Sequence, residues 1–230
     1  MLRLYNKQEV EGDMKNKNLI IILDACRFDA LKEALPNYTE NFLIFPFVGA
    51  SRSTPEFYRN ITFVSDFVLV TANPFVLYAN QEHKWKQVIH TKSIDPEDNL
   101  EECLAVLEKE DKVVLHLLPP HAPWQGKEGG ARWKEIMRIF KFSMKLEGKH
   151  KDFGPPHRQI FAKLGAETVR KYYFENLCVS LDAIFRYYDK LPKPFMITAD
   201  HGELLGEDGK FGHPETSHFI LQTVPVAVIY

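Results

Sequence analysis

The residues best suited to chemistry lie together near the C-terminus: Thr198-Ala-Asp-His-Gly-Glu203, with His213 twelve residues after His201. Asp200 offers a hard oxygen and His201 an imidazole nitrogen, the usual ligands of zinc, manganese or iron in hydrolases. Gly202 lets the backbone turn closely around such a pair. His213 closes a loop rich in glycine and charge. Its place in the same short segment reads as a site histidine rather than a solvated one. His218 lacks that support and reads as a local packing or capping residue. Ser51, Ser53 and Thr54 form a hydroxyl cluster around the start of an expected helix, where the helix dipole favours an alkoxide and a bound anion. Asp24 ends an apolar run. Capping would explain Asp24 and the hydroxyls equally well if each stood alone.

The elements that must position these residues follow from the hydrophobic pattern. Asn18–Asp24 (NLIIILD) and Lys112–Leu118 (KVVLHLL) are short continuous apolar runs that suit strands buried on both faces of a parallel sheet. Phe195–Thr198 and Val224–Tyr230 read as strands, as do Asp66–Thr71 and Lys86–Thr91. Phe42–Val48 is another, and Pro46 assigns it to an edge. Helices are expected over Ala25–Leu35, from Ser53 or Thr54 with Pro55 in the first turn, over Asp95–Glu108 with Asp95 as cap, and over Gln159–Leu191 with a break near Gly165. The segment 126–156 is basic, Gly-interrupted and aromatic, and reads as an excursion from a single domain spanning 1–230, with a helix near 131–146. Strands alternating with helices predict an α/β fold with a doubly wound, mostly parallel sheet and helices on both faces. Ligands bind such sheets beyond the carboxyl ends of the strands. Asp24, the stretch His116–His121, and Asp200-His201 all fall there.

Composition bounds the function. The chain has 230 residues, 45% of them hydrophobic and 26% charged, as expected of a globular domain. A net charge of −2 gives no whole-molecule reason to expect nucleic acid or an acidic membrane as partner. Only the stretch 127–158 is basic and aromatic enough to raise nucleic acid, and a solvated surface helix accounts for it. Cys26, Cys103 and Cys178 show no CxxC spacing and leave one thiol unpaired, so a disulfide framework is not expected and a reducing, cytoplasmic setting is. Met1–Asn18 carries no apolar core of a signal peptide, and no stretch approaches the ~20 apolar residues of a membrane span.

Thr-Ala-Asp-His-Gly-Glu-Leu-Leu-Gly-Glu (198–207) with the later Gly-His-Pro (212–214) resembles the C-terminal metal motif of the alkaline phosphatase superfamily, nearest its sulfatase-like branch and the phosphoethanolamine transferases. Leu-Asp-Ala-Cys-Arg-Phe-Asp (23–29) resembles the first metal motif of a microbial sulfatase-like subgroup. His-Leu-Leu-Pro-Pro-His-Ala-Pro (116–123) resembles the Pro-His-x-Pro loop of sulfatases. The resemblance implies a three-layer sandwich and a divalent metal, zinc or manganese first, with calcium or magnesium as alternatives. It implies Asp24, Asp200 and His201 as ligands of one metal, bridged by the nucleophile. It selects Ser53, two residues before Pro55, as that nucleophile. It gives His213 a substrate oxygen or a second metal, and gives His121 and His116 substrate contact, with His121 protonating the leaving group. Arg27 and Arg52 would pair with an anionic ester group.

Several departures shift the reading. Ser53-Thr-Pro-Glu-Phe57 lacks the arginine of the sulfatase signature, which favours a phosphate over a sulfate ester. Ala25 follows Asp24, where sulfatase calcium sites carry a tandem Asp pair. The chain closes after its last strand, where larger members continue, so substrate specificity is expected to be reduced or supplied by a partner. The resulting expectation is a metal-dependent hydrolase of a small anionic phosphate (or sulfate) ester. The alternatives are a phosphotransferase or mutase of the same superfamily, and a non-catalytic binding module that keeps the fold. Homo-oligomerisation is left open.

Overall fold

The computed structural model describes residues 7–49, 51–78, 80–122, 124, 164–214 and 217–230. The strands among them are β1 (Leu19–Leu23), β2 (Phe42–Val48), β3 (Val68–Thr71), β4 (Gln87–His90), β5 (Val113–Leu117), β6 (Phe195–Thr198), β7 (Leu204–Leu205), β8 (Phe211–Gly212) and β9 (Thr223–Ile229). Seven of them form one sheet in the order β2-β9-β6-β1-β5-β3-β4. The β4-β3-β5-β1-β6 block is parallel throughout, and β9 and β2 add antiparallel pairings at one side. The sheet is therefore mixed but mostly parallel, as expected. β2 is the edge strand that Pro46 predicts. Pro46 faces Pro225 across the β2–β9 ladder, so two residues without an N–H share one rung.

The central strand β1 is buried along its length because both faces are covered. Leu19, Ile21 and Leu23 pack on one side with Leu31, Leu100, Cys103, Leu177 and Ile184. Those partners come from α2 (Phe28–Ala34), α5 (Pro96–Leu107) and the long helix α6 (Ala166–Arg186). Ile20 and Ile22 point the other way, to Val10 and Met14, Tyr58 and Val76. These belong to α1 (Lys7–Lys15), α3 (Thr54–Asn60) and α4 (Phe75–Tyr78). Burying side chains of this size stabilises by about 1.5–3 kcal/mol each, which is why the apolar runs predict the sheet so directly.

The differences from expectation are local. α1 is unforeseen because only Val10 and Met14 of its residues are buried core, too few for a periodic signal. The helix expected from Ala25 starts three residues later at Phe28, because Ala25 adopts a left-handed conformation at φ 58°. The break near Gly165 is the start of α6, with Gly165 at φ 76° as its N-cap residue. His218 caps the short α7 (Phe219–Gln222), accepting from the Ile220 N–H at 3.2 Å. The expected excursion 126–156 and its helix lie outside the described residues. Among the described residues no helix is long and apolar enough to cross a membrane.

Candidate active site

Strand alternation brings the chemistry to one face. Ile20 and Ile22 face α3, so Asp24, the next step of that alternation, lies on the same side. On β5, Val114 faces α3 and His116 follows it two residues on. On β6, Met196 does the same and leads through Thr198 to Asp200. The parallel registers set Ile22 beside both His116 and Thr198, so the three strands deliver these side chains at one level.

Asp24, His116 and Asp200 are each at most 1% exposed, and one ligand atom from each lies within 4.8 Å of the others. Asp24 Oδ1, His116 Nε2 and Asp200 Oδ2 have no hydrogen-bond partner. His116 Nε2 lies 3.6 Å from Asp24 Oδ2 and 4.0 Å from Asp200 Oδ2. Buried polar atoms are normally satisfied, so three residues that each carry a partnerless atom and bring ligand atoms within 4.8 Å of one another fit a divalent cation. The remaining atoms of the same groups are firmly held. Asn73 Nδ2 donates to Asp24 Oδ2 at 2.5 Å. The N–H groups of Ala25 and His201 donate to Asp200 Oδ1 at 3.0 and 2.9 Å. His116 Nδ1 sits 2.7 Å from the Tyr58 hydroxyl. With Nδ1–H donating to that oxygen, Nε2 presents its lone pair to the carboxylates.

Electrostatics agrees with this division. Burial, followed by the proximity of Asp200 and Glu203, raises the Asp24 carboxyl well above its usual range. Burial also opposes charge on Asp200, but His201, His116 and the Ala25 N–H outweigh it and hold that carboxyl below its usual range. Burial pushes His116 down to about 4, so its ring is neutral at neutral pH. Glu203 is fully buried with neither oxygen partnered, and burial raises its carboxyl strongly.

The expected site residues fall into two groups. His201 joins the cluster, with Nε2 at 3.5 Å from Asp200 Oδ2 and 3.7 Å from Asp24 Oδ1. Its Nδ1 lies 2.8 Å from the Gly202 carbonyl, which can only accept, so Nε2 carries the lone pair. His121 and His213 lie at the rim, Nε2 to Nε2 at 3.2 Å, and the His213 ring centroid is 4.7 Å from that of His201. The short β7–β8 ladder folds the glycine-rich loop back and returns His213 to His201.

Two expectations are relocated. The hydroxyl that meets the cluster belongs to Thr54, not Ser53. Thr54 is 3% exposed, and its Oγ1 lies 3.3 Å from His201 Nε2. Ser53 is the extended residue before α3, at φ −160° and ψ 156°, and its side chain makes no capping bond. Ser53 is extended while Thr54 opens the helix, so the two side chains leave the backbone in different directions, and of the two it is Thr54 that bonds His201. Arg27 is also displaced. Its guanidinium binds Asp29 at 2.6 Å and Glu207 at 2.7 Å, and it donates to the Glu203 carbonyl. It braces the 203–207 loop and is not presented to the carboxylate cluster. Asn73 was not foreseen, because an Asn before a Pro reads as a turn. Its hold on Asp24 comes from a contact 49 residues away in the chain.

Neither protein-family models nor curated proteins match the sequence. Solved structures do match the fold. The soluble domain of lipooligosaccharide phosphoethanolamine transferase A from Neisseria meningitidis gives a TM-score of 0.58 at 16% identity, over 92% of this chain and 75% of that one. The phosphonate monoester hydrolase of Agrobacterium radiobacter gives 0.57 at 12% identity, over 91% of this chain and 67% of that one. The C-terminal periplasmic domain of EcEptC from Escherichia coli, solved in complex with zinc, gives 0.56 at 13% identity, over 92% and 71%. The chain thus has the alkaline phosphatase-like α/β fold.

Proposed function

We propose that this chain is a metal-dependent enzyme of the alkaline phosphatase superfamily that cleaves a phosphate ester through Thr54. The observation that carries the reading is the Thr54 hydroxyl, buried beside three partnerless ligand atoms and 3.3 Å from His201 Nε2. Asp24, Asp200 and His116 would hold the cation, with His201 within reach of it from the Thr54 side. When bound, a zinc or manganese ion would lower the pKa of the threonine hydroxyl and neutralise charge on the attacked phosphoryl group. Thr54 Oγ1 would give its proton to His201 Nε2 and bond to phosphorus as the ester P–O bond breaks. The His121–His213 pair at the rim would give the departing oxygen its proton. Water would then release phosphate from the threonine.

A transferase works through the same phosphothreonine and differs only in the acceptor. The fold is shared with named transferases and with a named hydrolase, so acceptor chemistry separates the two. The test is turnover of aryl phosphate mono- and diesters by the zinc- or manganese-loaded protein, with and without added alcohols. Inorganic phosphate as sole product supports hydrolysis. Alcohol-dependent formation of a new ester makes it a transferase. No turnover and no phosphorylated protein by intact mass, with metal bound, would leave the binding-module reading.

A further inference from the structure

The turn that carries Asp24 is built around a conformation its residue disfavours. Ala25 sits at φ 58°, where a side chain costs about 1–2 kcal/mol relative to ordinary backbone. Its N–H holds Asp200 Oδ1 at 3.0 Å, and the residue before it is Asp24 itself. One peptide turn therefore carries one carboxylate and fixes the other. The hydroxyl of Tyr173 on α6 grips that turn from outside. The hydroxyl donates to the Ala25 carbonyl at 2.8 Å and accepts from the Arg27 N–H at 2.8 Å. It spans the turn from both ends, and the side chain is 1% exposed, so no water replaces it.

We propose that Tyr173 is a positioning residue for the cation site, its hydroxyl locking the left-handed Ala25 turn so that Asp24 Oδ1 and Asp200 Oδ2 converge. This rests on the reading of Asp24 and Asp200 as cation ligands. The competing view is that Tyr173 only packs α6 against the core, since its ring belongs to the main apolar cluster. The two views part on Tyr173→Phe, which keeps the ring and removes only the hydroxyl. The loss strands a buried carbonyl and a buried N–H, and the turn relaxes from its strained conformation. Groups that orient ligands from behind typically govern metal affinity by about 10–100-fold.

The experiment measures zinc and manganese affinity by chelator competition, together with the melting temperature of the metal-free protein. The proteins compared are wild type, Tyr173→Phe and Tyr38→Phe. Tyr38 is the control: its hydroxyl bonds Asp182 and the Cys178 carbonyl on the same helix, away from the carboxylates. Tyr173→Phe is expected to lose roughly tenfold or more in affinity, and Tyr38→Phe none, whatever each does to melting. Wild-type affinity in Tyr173→Phe overturns the proposal alone. An equal loss in Tyr38→Phe also overturns it, by showing a general effect of destabilising α6. No binding by wild type overturns the metal reading and this proposal with it. Should Tyr173→Phe not fold, the hydroxyl is removed in an Ala25→Gly background, since glycine takes a positive φ without strain. A smaller loss is expected there relative to Ala25→Gly alone, because glycine removes the strain but leaves the turn unfixed, and equal affinities would refute the role.

Discussion

Thr54 Oγ1 and His201 Nε2 face each other at 3.3 Å across a fully buried gap, although 147 residues separate them in the chain. The hydroxyl can only donate there, because His201 Nδ1 is committed to the Gly202 carbonyl. Thr54→Ala should therefore lower turnover of an aryl phosphate by roughly 10³-fold or more, as loss of a nucleophile does, and abolish any phosphoprotein in intact mass spectra. Ser53→Ala should stay within about threefold of wild type, a loss under ~1 kcal/mol of transition-state stabilisation. The reverse ranking in the same assay would return the role to Ser53.

Tyr58 stands behind His116 as an orienting partner, its hydroxyl 2.7 Å from Nδ1 and fully buried. Tyr58→Phe leaves Nδ1 without that partner and frees the ring to choose the other tautomer. Metal affinity should fall by about 10–100-fold, while His83→Gln, on an exposed 3-10 turn, should leave it unchanged. Isothermal titration with zinc checks both.

The pH dependence of the metal-free protein follows from two histidines. Burial, aided by His201, holds His116 and His121 down at about 4 in the fold. In the unfolded chain each titrates near about 6.5. Between these values the unfolded state binds protons that the folded state refuses. The stability they contribute is complete above about pH 6.5 and is lost as pH falls toward about 4. Asp24 and Glu203 act in the opposite sense: their raised carboxyls cost stability as pH rises through the ordinary carboxylate range. Calorimetry of wild type and His121→Gln from pH 7 down to 4 isolates the histidine share, since the carboxyls are common to both. The melting temperature of wild type relative to His121→Gln should fall as the pH falls, and a constant difference would contradict the assignment.

Gly202 is held to a close approach rather than to a special turn. A Cβ there would sit 2.1 Å from the Ile220 carbonyl oxygen of α7. Its own N–H donates to the Leu221 carbonyl at 2.9 Å, so α7 and the His201 loop are in direct backbone contact. Gly202→Ala should cost about 1–3 kcal/mol by overpacking and displace His201, so both the denaturation midpoint and activity should drop. Gly12→Ala, in open space within α1, should leave activity unchanged and raise stability by about 0.5–1 kcal/mol.

Much of this was legible in the residues. The runs at 19–23, 113–117 and 195–198 appear as strands because burial on both faces forces them to be apolar throughout. Asp200, His201 and His213 could be read as a site because they share one segment. The choice between Ser53 and Thr54 could not, since it turns on where the helix begins to within one residue, and side-chain direction reverses at each step before it. The ion pairs of Arg27 were not legible for a different reason. Its acid partner Glu207 lies 180 residues away, and no local pattern shows that a guanidinium is already engaged. Asn73 and Tyr173 act through contacts 49 and 148 residues distant in sequence, which the fold alone creates.

The near-complete burial of Asp24, His116 and Asp200 also bears on kinetics. An ion seated among them would be held by side chains packed too tightly to swing aside, so its release requires a local opening event in the loops that carry Asp24 and Asp200. Exchange with a chelator would then be slow and set by the rate of that opening, independent of chelator concentration once it is in excess. The protein would retain its ion through dilution that strips an equally tight site on the surface, and residence time, rather than affinity alone, would decide which metal it carries.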